Sequence, residues 1–158
     1  MHEWHEDAII VGVSSILADD HDWRIREDGR GPWWAFIVQS PSAMKETMIT
    51  LLDDQVIVGR DRIPGAELSI PRVGKSFQLE EMIDTDKALM IAQQSRVENG
   101  CCLGYISTDA YDGLAGKVIP LSWSIGYRLT SEGGKPLWIH IFINAFTGDV
   151  IRNDFLSP

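Results

Sequence analysis

Two segments near the C-terminus carry the clearest alternation of apolar and polar residues in the sequence. Residues 121–129 are apolar at every second position, with serine, glycine and arginine between them. Residues 137–143 place leucine and isoleucine on one side and aromatic residues on the other. Successive side chains of a β-strand point to opposite faces, so a period of two is typical of strands. The two segments therefore predict antiparallel strands joined by a turn at residues 131–135.

Two further segments predict helices. Residues 3–18 have small side chains at helical spacing, at Ala8, Val11, Ser15 and Ala18. Residues 84–97 have helical periodicity, and Asp84 or Thr85 can cap that helix. Residues 99–117 contain four glycines and predict a loop.

The first half of the chain also contains strand signals. Residues 34–38, 45–52 and 56–60 are rich in β-branched and aromatic residues, and Asp53-Asp54 between the last two predicts a tight turn. The strand at 34–38 is apolar on both faces, so another part of the protein, a second protomer or a target must cover it.

Each half thus has the order helix, then antiparallel strands. The sequence predicts an α+β protein of two such helix-plus-sheet units in tandem, packed as one compact protein. The first unit spans residues 1–61, a connecting segment spans 62–83, and the second unit spans 84–158.

The chain closes with the segment INAFTGDVIRND at residues 143–154. Its Thr-Gly-Asp centre predicts a hairpin turn in which Gly148 has a positive φ. The short polar side chains of Asn144 and Asp149 can bond nearby backbone amides and hold this hairpin closed.

The helix at 84–97, the two alternating strands and the closing Asn144–Val150 segment together resemble the PepSY/YpeB-like module, which ends in DA-x-TG-[DE]-V. Asn144 replaces the first Asp of the family's motif, and Phe146 replaces its lysine-like third residue. The resemblance covers residues 84–154, with a degenerate first copy at 3–61. It implies a cystatin-like helix wrapped by an antiparallel sheet, a binding or inhibitory role without catalysis, and an extracytoplasmic location.

Composition narrows the range of partners. The 158 residues carry a formal net charge of -9 without a Lys/Arg cluster, which disfavours nucleic acid and anionic membranes and favours a basic protein. The N-terminal residues do not form a signal peptide. The adjacent Cys101 and Cys102 are too close for an unstrained disulfide and predict free thiols. The sequence as written therefore predicts a cytoplasmic protein, or an extracytoplasmic one if a signal was removed.

Three motifs suggest chemistry but do not define a site. His2 and His5 lack the four-residue spacing of a metalloprotease helix, so a solvated chain start is the better interpretation. Residues 69–76, SIPRVGKS, approach a phosphate-binding loop, but Ser69 replaces its first glycine and Pro71 lies inside it. No cofactor, metal site or catalytic residue is assigned.

The third motif is the cysteine pair Cys101-Cys102, which could belong to a Cys-His hydrolase. It would pair Cys101 or Cys102 with His140 and stays open as an alternative.

The partner-binding candidates are aromatic. Trp138, His140 and Phe142 share one side of the last alternating strand, and Trp33 occupies a similar position in the first half. These side chains either pack between the halves or bind a partner. We expect a small, acidic, non-catalytic bacterial protein that binds and inhibits another protein. An immunity-type inhibitor of a bacterial toxin, a homodimer, and a small-molecule carrier with a cleft between helix and sheet are further hypotheses.

Overall fold

The computed structural model describes residues 4–15, 25–26, 28–52, 55–61, 77–95, 102–112, 116–130, 134 and 136–156. These residues form one eight-stranded antiparallel sheet and one α-helix that packs on one face of it. A short 3-10 helix, Leu79–Glu81, precedes the α-helix.

The sheet consists of two four-stranded meanders that meet at their first strands. In chain order the elements are β1 Ile9–Ser15, β2 Trp33–Ser40, β3 Lys45–Leu52, β4 Gln55–Val58, α1 Thr85–Ser95, β5 Cys102–Asp112, β6 Lys117–Thr130, β7 Pro136–Asn144 and β8 Val150–Asn153. Across the sheet their order is β4-β3-β2-β1-β5-β6-β7-β8. The central pair, β1 and β5, is antiparallel, with Ser14 opposite Ser107.

Side-chain hydroxyls reinforce this central pair. The Val13 amide donates to Thr108 Oγ1 at 2.9 Å, and the Ile106 amide donates to Ser15 Oγ at 2.9 Å. The Thr108 hydroxyl lies 3.3 Å from the Val13 carbonyl oxygen. Buried backbone amides and carbonyls need hydrogen-bond partners. Here the Ser15 and Thr108 hydroxyls supply these partners, whereas elsewhere in the sheet the neighbouring strand's backbone supplies them.

The core lies between α1 and the second meander. Ala88, Leu89 and Ala92 form the buried stripe of the helix. They pack with the alternating apolar residues of β6 and β7, including Ile125 and Ile141, which are fully buried. Small alanines on the helix let its backbone approach the sheet closely, and Leu89 and the isoleucines fill the space between them.

The tandem arrangement of two helix-plus-sheet units is wrong, and so is the cystatin-like description of the whole chain. The structure has a sheet-dominated fold with α1 as the helix of its described part. Within the predicted helix at 3–18, residues Ile9–Ser15 are instead β1, whose Val11, Val13 and Ser15 are buried in alternation. Val11 and Ser15 are four positions apart, a spacing that shares one face in a helix and in a strand alike. A β-bulge between Ile10 and Gly12 also interrupts the period of two at the start of the strand.

The loop predicted over residues 99–117 is also wrong, because most of it is β5, one of the two central strands. Two bulges, between Leu103 and Tyr105 and between Asp109 and Tyr111, disguise its alternation. Gly104 leaves room for an aromatic ring: a Cβ at this position would overlap the Trp138 side chain. The glycine that suggested a loop therefore permits packing inside the sheet.

The other strands and the second helix lie close to their predicted positions. β3 has the predicted bounds, and α1 begins at Thr85, whose amide donates to Asp84 Oδ1 at 2.7 Å. The predicted turn at Asp53-Asp54 lies outside the described residues. β1–β4 fall within residues 1–61, and α1 to β8 fall within 84–158.

The closing hairpin has the predicted turn chemistry with one difference. Gly148 has a φ of 82°, and Asn144 Oδ1 accepts from the amides of Phe146 and Thr147 at 3.0 and 3.1 Å. The Asp149 carboxylate instead accepts from the Thr147 hydroxyl at 2.7 Å. The segment is thus a self-contained structural turn, because its polar groups bond to one another.

The contact between Gly104 and Trp138 predicts strong coupling. Gly104→Ala should lower the free energy of unfolding by about 1–3 kcal/mol because the new methyl group overlaps the indole. Trp138→Ala should lower it by about 3 kcal/mol, since the half-buried ring packs on Tyr105 with 5.4 Å between ring centroids. In the Trp138→Ala background, Gly104→Ala should cost less than about 0.5 kcal/mol. Urea unfolding of the four proteins measures this coupling, and additive losses would contradict it.

Candidate functional site

The predicted aromatic residues of β7 do meet on one face of the sheet, opposite α1. The His140 and Phe142 rings stack with centroids 5.9 Å apart, and Tyr105 contacts the His140 ring edge-on at 5.8 Å. The Tyr105 ring lies over Gly126, where a Cβ would overlap it. Together with Trp138 these residues form what we call the aromatic face: Tyr105, Trp138, His140 and Phe142.

The polar contacts of His140 are directed into the protein. Its Nδ1 lies 3.3 Å from the Tyr105 hydroxyl and 3.5 Å from Ser124 Oγ. Its backbone amide donates to Asp154 Oδ2 at 3.2 Å. Burial lowers the pKa of His140, and this effect is larger than the opposite effect of the Asp154 charge. Burial also raises the pKa of Tyr105. Burial therefore favours the neutral imidazole.

Much of the aromatic face is already packed. Phe142 is only 6% exposed. The Arg152 guanidinium lies 5.7 Å from the centre of its ring, held by a 2.6 Å ion pair between Arg152 Nε and Asp154 Oδ1. Trp33 lies on β2, so that three strands separate it from β7. The structure brings three of the four predicted partner-binding residues together, and their role in binding stays a prediction.

An apolar cavity of about 830 Å³ lies on the other face of the sheet, over the first meander. Its floor is formed by Val13 of β1, Trp34 and Phe36 of β2, and Leu51 of β3. The last three of these side chains are only half-buried. The cavity therefore leaves large apolar groups partly in contact with solvent.

One wall of the cavity is the segment that leads into α1, including Leu79, Met82 and Ile83. Hydrogen bonds fix this wall to the sheet. The Trp123 indole donates to the Ile83 carbonyl oxygen at 2.9 Å, and the Ile83 amide donates to the Ala145 carbonyl oxygen at 2.8 Å. The amide and the carbonyl group of Ile83 are thus both hydrogen-bonded, which holds this wall in place.

The Gly29–Gly31 segment also lines the cavity and contacts the start of α1. Thr85 Oγ1 lies 3.3 Å from the Gly29 carbonyl oxygen. Gly29 has a φ of 80°, and a Cβ there would come within 2.8 Å of the Asp86 backbone nitrogen. The residue must be glycine both for its backbone conformation and for this close approach.

The rim of the cavity is mainly acidic. Glu80 and Asp84 line it, and Glu81, Asp86 and the basic Lys87 are exposed beside them in the chain. Arg30 is the basic side chain among the lining residues. An apolar interior with a few charged groups at its mouth is the usual construction of a ligand-binding site.

Sequence reasoning indicated that the strand at 34–38 must be covered but did not locate this cavity. The apolar residues on both faces of that strand were the available signal. The lining also needs Met82 and Ile83, from the segment predicted only as a connection, and Trp123 from the other half. These contacts depend on the pairing of β1 with β5, which the sequence did not predict.

The remaining chemical motifs do not form a site in the described part of the chain. Within it, no group of three or more His, Cys, Asp or Glu side chains is arranged to hold a metal ion. His5 lies before β1 and contacts the Trp4 ring at 4.7 Å between centroids. His2, Cys101 and the SIPRVGKS segment lie outside the described residues. Cys102 lies on β5 opposite Arg128, two strands from His140.

Comparison with known proteins supports the fold but does not establish a family. No family model matches the sequence, and no curated protein matches it. The chain is similar to the crystal structure of a "putative lipoprotein" from Clostridium difficile 630, with 15% identity and a TM-score of 0.51. The match covers 92% of this chain and 81% of that chain, and at this identity it shows the fold alone. The PepSY/YpeB-like resemblance therefore stays a prediction.

None of the helices in the described ranges is long and apolar enough to cross a membrane.

The burial of His140 predicts a pH dependence of stability. Because its pKa in the folded state is below the ordinary value near 6.5, the unfolded chain binds its proton first as the pH falls. The contribution of His140 to stability should therefore be complete above about pH 6.5 and decline as the pH falls from there towards the folded-state pKa. In His140→Phe, which retains a ring but cannot titrate, this decline should be smaller. Urea unfolding at several pH values between 5 and 8 tests the difference, and identical pH profiles would contradict it.

Proposed function

We propose that this chain is a non-catalytic binding protein that takes an apolar segment of a basic partner protein into the cavity. The observation that carries the proposal is the fixed cavity of about 830 Å³ with half-buried Trp34, Phe36 and Leu51 on its floor. Covering such side chains removes apolar surface from water, at about 25 cal/mol per Å². Because hydrogen bonds already hold the wall at Ile83, little ordering is needed on binding.

The charges support a basic partner. Glu80 and Asp84 lie at the rim, and the whole chain has a net charge of -9. Complementary charge accelerates encounter and selects partners, even where it adds little affinity. An apolar segment flanked by lysine or arginine fits both the interior and the rim. Occupation of the cavity by a toxin or an enzyme would make the protein an inhibitor of the immunity type.

We propose the cytoplasm as the compartment, because the adjacent Cys101 and Cys102 predict free thiols, which suit a reducing environment. Fractionation of the native host tests this, and recovery from an extracytoplasmic fraction would contradict it.

A small apolar molecule is the second candidate occupant, because the cavity volume lies within the range of about 300–1,000 Å³ for small-molecule sites. Native mass spectrometry of the purified protein distinguishes the two candidates. A retained small molecule that Leu51→Gln releases would favour the carrier.

Synthetic peptides test the main proposal. We expect a peptide with a central Leu-Phe-Leu flanked by lysines to bind more tightly than the same peptide flanked by glutamates. Leu51→Gln, which places a polar amide on the cavity floor, should weaken binding at least tenfold, equivalent to about 1.4 kcal/mol. Fluorescence titration can follow binding because Trp34 and Trp123 line the cavity.

Met48→Gln is the matched control. Met48 lies on the same strand as Leu51 and is also half-buried, but it is three positions away and on the opposite face of the sheet. This variant should bind the lysine-flanked peptide as the wild type does. Equal losses in the two variants, or no preference for lysine over glutamate, would contradict the proposal.

A further inference from the structure

The cavity is lined by charges of both signs, and these come from separate segments of the chain. Glu80 and Asp84 belong to the segment that leads into α1, whereas Arg30 belongs to the segment before β2. Among the described residues, no ion pair joins Arg30 to either carboxylate. These opposite charges therefore do not neutralise each other.

A hydrogen-bonded turn holds the backbone of Arg30 in place. The Arg26 amide donates to the Arg30 carbonyl oxygen at 2.7 Å, and the Gly29 amide donates to the Arg26 carbonyl oxygen at 3.0 Å. The Arg30 amide donates to Asp28 Oδ1 at 3.0 Å. The Thr85 hydroxyl, 3.3 Å from the Gly29 carbonyl oxygen, attaches this turn to the start of α1. The exposed Arg30 side chain is thus carried beside the cavity by a fixed backbone.

A guanidinium is suited to binding a carboxylate. It is planar and always charged, and two parallel N–H groups can bind both oxygens of one carboxylate. A polypeptide that ends in apolar residues carries such a carboxylate directly beside apolar side chains. A lysine or arginine a few residues before that end supplies the positive charge that Glu80 and Asp84 attract. Such a tail therefore matches the basic, apolar and acidic groups that line the cavity.

We infer that the cavity binds the C-terminal tail of its partner, with the terminal carboxylate on the Arg30 guanidinium. The last apolar side chains of the tail lie on the cavity floor, and a basic residue before them lies near Glu80 and Asp84. The inference rests on the proposed function and specifies which part of the basic partner enters the cavity. An internal segment has no terminal carboxylate, so Arg30 selects a chain end over an internal segment.

Two peptides of the sequence Lys-Lys-Leu-Phe-Leu, one with a free C-terminal carboxylate and one with a C-terminal amide, test the inference. The free-acid peptide should bind the wild type about fivefold more tightly, as expected for a charge-assisted pair with an exposed arginine. Lys-Lys-Leu-Phe-Leu-Lys-Lys should also bind more weakly than the free-acid peptide, because lysines would replace the carboxylate beside Arg30. Fluorescence titration at about 0.15 M salt, which screens distant charges, measures all three affinities.

Arg30→Gln tests the assigned residue. It should lower the affinity for the free-acid peptide to that for the amide peptide, and it should leave the affinity for the amide peptide unchanged. Arg26→Gln is the matched control, because Arg26 is exposed on the same turn but is not among the residues that line the cavity. This variant should keep the fivefold preference. Circular dichroism should show that both variants are folded, as expected for changes at exposed side chains.

Octanoate tests the alternative source of the same chemistry, since it has a carboxylate on an apolar chain but neither a peptide backbone nor lysines. At a concentration equal to that of the bound free-acid peptide, octanoate should leave the peptide in place. Displacement of the peptide under these conditions would overturn its assignment as the occupant.

Equal binding of the free-acid and amide peptides by the wild type would overturn the inference and leave the proposed function standing, because both peptides would still be bound. A preference for the free acid that persists in Arg30→Gln, or that is lost equally in Arg26→Gln, would also overturn the inference. Failure of all three peptides to bind would contradict the proposed function itself, and the inference with it.

Discussion

The pairing of β1 with β5 is the constraint on which the rest of the structure depends. It joins two meanders into one sheet, although among the described residues the backbone pairing there is the single pair Ser14 and Ser107. The hydroxyls of Ser15 and Thr108 satisfy neighbouring amides that the ladder leaves unpaired. Because buried amides without partners are costly, these two short side chains maintain the continuity of the sheet. Larger apolar residues in their place would remove both bonds at the point where the halves meet.

Among the residues that the structure describes, the cavity follows from the unequal covering of the two meanders. α1 packs its Ala88 and Leu89 onto the second meander and closes the core there. The corresponding face of the first meander has Trp34 and Phe36 in the cavity floor, and the segment entering α1 forms a wall beside them. A sheet with one well-packed half and one open apolar half can remain rigid while it presents a binding surface. On the aromatic face, by contrast, Phe142 is buried, and Gly104 and Gly126 make room for the Trp138 and Tyr105 rings.

Sequence reasoning was most reliable where a local rule decides the conformation. Clean alternation located β6 and β7, and the turn chemistry gave the positive φ of Gly148. It failed where bulges interrupt the period of two. It predicted a helix in place of β1, and it predicted a loop in place of β5 because of Gly104 and the glycines on either side of the strand. The cavity was beyond its reach for another reason: Trp34 and Trp123 are distant in the chain and meet only through the β1–β5 pairing. The role of Gly104 likewise becomes visible only with Trp138 above it.

The most direct test of the account is to map a bound peptide by nuclear magnetic resonance. The six tryptophans provide indole N–H signals, which can be assigned with single Trp→Phe variants. On addition of the lysine-flanked Leu-Phe-Leu peptide, the account predicts that the signals of Trp34 and Trp123 shift while that of Trp138 stays in place. A shift confined to Trp138 would move the binding site to the aromatic face. That outcome, or the absence of any shift, would contradict the claim that the cavity is the binding site.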